Sequence, residues 1–284
     1  MSLRVRKLVA VTALLGAVTG AACKPKSPPA TTDDDTTLAQ DGVDTAAAET
    51  DAQLLTSTLV SATGAGGLAL ASASDLSGGE LAPSDVGDGA KAFFFPRGCL
   101  TTAHDAAART VTYTFGGCIG PNGLARIAGV VTARYAIAPG SLTLDITATE
   151  LRINRATVDW SARAVVSASG AQRSMTWKGQ LSGKTARGRD LARSAETSVR
   201  WQVGEPCIAV DGTAQGDVGG RGVRTDVKAY ARCRGECPEA GGSIKVTSLT
   251  NDRSLELSFD GTNKATLRAS TGRTATVTML CGGG

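Results

Sequence analysis

Seven cysteines, one histidine and a scatter of carboxylates are the side chains of this 284-residue chain whose types could do chemistry. An odd number of cysteines leaves one outside any intramolecular disulfide. Cys23 stands apart, while Cys99, Cys118, Cys207, Cys233, Cys237 and Cys281 form an even set that reads as a disulfide framework. In "CRGEC" (233–237) the spacing is C-x3-C rather than the C-x-x-C of redox and zinc-ribbon sites, so no metal ligand set is assigned. His104 is followed directly by Asp105 beside an expected turn, and adjacent strand residues point to opposite faces, which works against a Ser-His-Asp arrangement. The chain has no G-x-S-x-G, no Walker A loop and no G-x-G-x-x-G opening a helix. "RGRD" (187–190) reads as a charged hairpin tip. Asp145, Glu150 and Asp159 fall on neighbouring expected strands, where a glycosidase would need two carboxylates facing one cleft. Any β protein offers such pairs, and Trp160, Trp177 and Trp201 lie on the apolar parity, where they pack a core instead of forming sugar platforms. No catalytic residue and no cofactor is assigned.

The first residues supply an address. Arg4, Arg6 and Lys7 precede an apolar run, Leu8 to Val18, that ends in Gly20, Ala21 and Ala22. A basic start, a short apolar stretch and a small-residue exit form a secretory signal over 1–22, too short to span a bilayer, which needs about 20 apolar residues. Gly20-Ala21-Ala22-Cys23 resembles the lipobox of bacterial lipoproteins, with Gly20 where that family usually carries Leu. The resemblance implies that Cys23 is acylated and becomes the mature N-terminus; ordinary signal peptidase cleavage, which leaves Cys23 as an exposed thiol, is the alternative that Gly20 and Ala22 also suit. Lys24 stands where lipoproteins retained in the inner membrane carry Asp, so the resemblance implies an outer-membrane anchor. The expected localisation is exported and lipid-anchored to the cell envelope.

Behind the signal the organisation changes three times. Residues 23–40, with Pro25, Pro28, Pro29 and Asp33 to Asp35, read as an acidic disordered tether. Residues 41–95 read as a helical segment: Leu54, Leu55 and Leu59 recur at helical spacing, Asp41 or Asp44 caps the start, and Gly64, Gly66 and Gly67 end the helix. A second helix is expected from Pro83 toward "AFFF" (92–95). From 96 to 284 the period becomes 2, as in Val131, Ala133, Tyr135 and Ile137 against Thr132, Arg134 and Ala136. The parity slips after Ala148, which predicts a β-bulge near Thr149-Glu150. About a dozen short strands with tight turns and no crossovers make the fold mainly β and antiparallel. The expectation is a large curved sheet or incomplete barrel with the Leu54–Leu59 helix packed on its concave face, and a β-sandwich is the alternative. Hairpin geometry ranks the cysteine pairs as 99–118, 207–233 and 237–281. In the lipobox, the "FFFPRGC" entry to the sheet and "RCRGECPEAGG" before the last strands, the chain resembles the large β-rich lipoproteins of myxobacterial envelopes. That resemblance implies location and fold style and no activity.

Charge is divided along the chain. Residues 24–90 carry a net −9 and residues 91–284 a net +10, densest over 152–200 with ten basic residues. Arg163, Lys178 and Arg200 lie on the parity opposite to Trp160, Trp177 and Trp201, which reads either as arginines and lysines that coat the wet face and guard the sheet edges or as a basic patch for anionic lipid or polysaccharide. An acidic helix lying against the basic sheet is a further reading of the same division. Nucleic acid fits the charge but not an exported address. The function expected is that of a membrane-tethered envelope lipoprotein acting as a non-catalytic binding or structural module. A carrier of an acyl chain or other apolar ligand is the alternative, and a secreted hydrolase the third.

Overall fold

The computed structural model describes residues 33–61, 83–120, 123, 125–138, 141–202, 205, 207–233, 237–251 and 253–281. Among the described residues, two helices, α1 (Asp33–Ser61) and α2 (Pro83–Lys91), precede thirteen strands. These are β1 (Leu100–Asp105), β2 (Thr110–Ile119), β3 (Arg126–Ala138), β4 (Ser141–Ile153), β5 (Ala156–Ser169), β6 (Gln172–Lys184) and β7 (Asp190–Gln202). They continue as β8 (Ile208–Val218), β9 (Arg221–Arg232), β10 (Ser243–Ser248), β11 (Ser254–Phe259), β12 (Lys264–Ala269) and β13 (Thr274–Thr278). All thirteen form one sheet in sequence order, each strand antiparallel to the next. A single sheet with no second layer replaces the sandwich alternative.

Local chemistry accounts for the hairpins. Gly219 and Gly220 both take positive φ between β8 and β9, as a two-residue turn matched to strand twist requires. The slip in parity is a bulge at Thr149-Glu150: Ala148 pairs with Trp160 and Leu151 with Val158, so two residues face one. Glu150 there adopts φ 50°, and its amide donates to the Asp159 carboxylate at 2.5 Å. Disulfides join Cys99 to Cys118 and Cys207 to Cys233 across the open ends of the β1–β2 and β8–β9 hairpins, and Cys237 to Cys281 behind the last strands.

The sheet rolls around α1. Side chains are buried around the whole circumference of that helix, from Asp35 to Val60, and it touches β4 through β11 and β13. An ordinary surface helix hides one stripe; this one is enclosed because the sheet curls over it. Roll closure is made by arginines in the hairpin turns. Arg155 Nη1, in the β4–β5 turn, donates to the Leu280 carbonyl at 2.8 Å, and Arg187 Nη2, in the β6–β7 turn, to the Thr278 carbonyl at 2.8 Å. Both bonds go to the C-terminal edge of the sheet, whose carbonyls would otherwise offer a pairing template. Gly42 permits a close approach of helix to sheet, for a Cβ there would lie 2.2 Å from Val246 Cγ2. The shorter α2 packs on β1 and β2, followed by Phe94 edge-on to Phe115 at 5.1 Å.

The helix starts at Asp33, eight residues before the expected cap, so Asp33 to Asp35 belong to α1 and not to a tether. Acids in a first helical turn face the positive end of the helix dipole, and the arginines described next hold two of them. The glycines expected to end the helix lie outside the described residues, as do the signal and Cys23. The second helix stops at Lys91, before the expected apolar run, and Phe95 instead bridges to Ile119 of β2.

Candidate functional site, a polar trough on the outer face

Two charged systems occupy the two faces of the sheet. The inner one holds α1, which bears seven acids and no base. Asp34 meets Arg221 at 2.9 Å and Arg253 at 3.0 Å, and Asp35 meets Arg273 at 3.6 Å. Further along, Asp41 pairs with Arg189 at 2.9 Å, Asp44 with Arg187 at 3.0 Å, Glu49 with Arg193 at 2.7 Å, and Asp51 with Arg232. Burial raises the Asp41 and Asp44 carboxyls to about 6 in spite of these arginines, and it raises Glu49 as well. "RGRD" is therefore more than a charged tip. Arg187 and Arg189 reach inward from it and clasp the helix, leaving Asp190 to an exposed pair with Lys184.

Register builds the outer system. Arg134 of β3 faces Asp145 of β4, which faces Arg163 of β5, then Lys178 of β6 and Glu196 of β7. Strands lie about 4.8 Å apart, so this is a transverse row of charges across five strands. Its ion pairs run outward from the middle: Arg163 to Asp145 at 3.7 Å and Lys178 to Glu196 at 2.7 Å. Arg163 and Lys178 are direct cross-strand neighbours, the like-charge juxtaposition that costs stability in a sheet unless something sits between. One row over, Thr132, Thr147, Ser161, Gln180, Ser194 and Gln215 face one another in turn. Both rows line a trough of ≈ 900 Å³, with Arg224 at its β9 side. A second hollow of ≈ 560 Å³ adjoins it, sharing Thr147, Ser161, Gln180, Ser194 and Gln215 and adding Asp159 and Ser182.

The residues expected to form the basic patch separate here. Arg163 and Lys178 share the trough. Arg200 faces Ser174, four residue pairs along the ladder from the Lys178–Glu196 pair and on the same face, and pairs with Asp211 of β8. The ten basic residues of 152–200 thus divide between faces: Arg187, Arg189 and Arg193 serve α1, and acids from outside the band (Asp145, Asp211) meet others. Counting acids only within the band hides that balance. Arg134, Arg224 and the hydroxyl and amide row are the trough residues sequence reading passed over. Their signal is parity plus register, and register needs strand lengths that periodicity leaves undefined by a residue or two.

The remaining chemistry candidates are dispersed. Asp145 pairs with Arg163, while Asp159 accepts from the Glu150 backbone amide and braces the bulge. His104 is exposed at the end of β1. Trp160 and Trp177 are buried and Trp201 is half-buried. Among the described residues no three His, Cys, Asp or Glu side chains converge as a metal site, and no helix is long and apolar enough to cross a membrane. No family model matches this chain, and neither the curated proteins nor the solved structures contain a match to it.

Proposed function

We propose that this protein is a lipid-anchored cell-envelope module, held at the outer membrane through Cys23, that binds the acidic groups of an envelope component non-catalytically in the outer-face trough. The observation that carries this reading is the Arg163–Lys178 juxtaposition in the middle of the trough, with both acidic partners on the far sides. A carboxylate or phosphate seated between the two cations removes their repulsion and gains charge-assisted hydrogen bonds. Arg134 adds to the local positive charge, and Arg224 is paired with Asp226 at 2.9 Å. The signal-like N-terminus, the lipobox resemblance and three disulfides support export. A carrier would need the concave face for its ligand, and α1 occupies that face with Leu54, Leu55 and Leu59 buried.

Two measurements test this. The anchor requires Cys23→Ala to move the protein from the detergent phase to the aqueous phase without loss of fold; identical partitioning of both forms overturns it. The binding site requires retention on anionic vesicles or acidic polysaccharide that weakens steeply with salt, because the Debye length falls to about 8 Å at 0.15 M. Arg163→Gln with Lys178→Gln should abolish retention, whereas Arg200→Gln should leave it intact. Equal loss from the Arg200 variant means a diffuse surface effect and overturns the site.

A further inference from the structure

We propose that the trough takes an extended acidic polysaccharide, laid across the strands along the row of hydroxyls and amides; this rests on the reading of the trough as an anion site. Thr147, Ser161, Gln180, Ser194 and Gln215 lie on five successive strands and line both hollows, so they form the continuous floor between them. Cross-strand pairing spaces them evenly, about 4.8 Å per step and about 19 Å in all. All five side chains are exposed, and none makes a hydrogen bond to another described residue. A row of uncommitted donors and acceptors, each able to do both, suits a ligand that presents hydroxyls at a regular interval. Sugar rings in an extended 1,4-linked chain repeat at close to the strand spacing.

The flanking charge row decides what kind of chain. Its central cations, Arg163 and Lys178, stand one row from Ser161 and Gln180 on the same two strands, about 7 Å along each strand. That is the reach of a ring substituent from a chain lying on the floor. The trough lining holds Arg134, Arg163 and Lys178 against Asp145 and Glu196, a positive excess, while Arg224 at its side is paired with Asp226 at 2.9 Å. Charge complementarity therefore selects a chain bearing carboxylates, as in a polyuronate, over a neutral glucan. A lipid headgroup offers the anion but nothing for five strands of hydroxyl and amide.

The test uses the intact chain, galacturonate oligomers of increasing length and phosphatidylglycerol vesicles as probes. Affinity should climb with oligomer length and level off at about five sugars, the span of the floor. The triple variant Thr147→Val, Ser161→Ala, Ser194→Ala keeps every charge and near-isosteric volume at exposed sites. It should bind the pentamer at least about tenfold more weakly, the equivalent of ~1.4 kcal/mol, while its retention on vesicles stays within about twofold of wild type. Affinity independent of length, or a triple variant that binds the pentamer as wild type does, overturns the polysaccharide assignment. If the charge variant Arg163→Gln, Lys178→Gln still loses binding in that case, the anion site stands and its occupant is a headgroup. If wild type retains neither probe at low salt, the anion site itself falls.

Discussion

The ion pair between Glu49 and Arg193 offers the sharpest test of the enclosed helix. Both side chains are within 4% of fully buried, and Arg193 Nε donates to Glu49 Oε1 at 2.7 Å. Its other nitrogens donate to the Val223 carbonyl at 3.0 Å and to Thr225 Oγ1. Replacing Arg193 by Met leaves a carboxylate buried without a partner, together with an orphaned carbonyl and hydroxyl. Loss of one partner from a buried pair costs about 3–5 kcal/mol. Glu49→Leu strands the guanidinium with two neutral acceptors and should cost about the same. Removing both charges at once eliminates the desolvation penalty along with the attraction, so the double variant should lie within about 2 kcal/mol of wild type. Urea unfolding of the disulfide-intact protein at pH 7.5 gives all four stabilities, and in a thermal scan each single variant should lose roughly 6–20 °C in Tm, at about 2–4 °C per kcal/mol. The coupling energy should thus exceed about 3 kcal/mol, far above the few tenths expected of independent sites. Single variants costing under about 1 kcal/mol, or a double variant equal to the sum of the singles, would show that α1 is not enclosed as described.

Other outcomes follow from the same contacts. Asp41 and Asp44 are raised to about 6 by burial, so the folded state binds protons more readily than an unfolded chain with ordinary carboxyls. Their contribution is full below about pH 4 and is lost as pH rises through 6; the urea midpoint should therefore climb between pH 7.5 and 5. The gain is of order 1–3 kcal/mol per group, and Asp41→Asn with Asp44→Asn should flatten the profile. A midpoint that falls over this range contradicts the burial of these acids. Gly42→Ala gains about 1 kcal/mol of helix propensity, yet its Cβ would meet Val246, and overpacking costs about 1–3 kcal/mol. The variant should destabilise in wild type and stabilise in a Val246→Ala background, as differential scanning calorimetry would show. Removing Cys237–Cys281, which closes a separation of 44, should cost about 4 kcal/mol, against about 3 for Cys99–Cys118 with 19. Peptide mapping without reduction checks the pairs themselves, and a link from Cys99 to any cysteine beyond 200 refutes the hairpin assignment.

Much of the architecture was legible because it rests on local rules. Period-2 alternation marks which side chains of β2 to β9 face inward, a one-residue parity slip marks the bulge at Thr149-Glu150, and cysteines flanking a hairpin are neighbours as soon as its strands pair. The helix on the concave face was legible too, from Leu54, Leu55 and Leu59. Its first two turns were not. Asp33 to Asp35 have the composition of a solvated segment, and the partners that meet Asp34 and Asp35 in the fold, Arg221, Arg253 and Arg273, lie more than 180 residues away.

The trough shows the same division. Alternation alone put Arg163 and Lys178 on the wet face, and nothing local could say that they stand opposite each other, or that Arg200 lies four residue pairs away. Pairing register arises from the lengths of both strands and the turn between them, so it belongs to the hairpin rather than to either segment. The split of arginines between helix clasp and outer surface goes further still. Arg187 and Arg189 turn inward because the rolled sheet brings α1 and the C-terminal edge beside their turn, where Asp44 and the Thr278 carbonyl lie within reach of one guanidinium. Composition established that acids and bases are segregated along this chain; which base meets which acid, and which stand on the outer face, was decided by the way the sheet closes around its own helix.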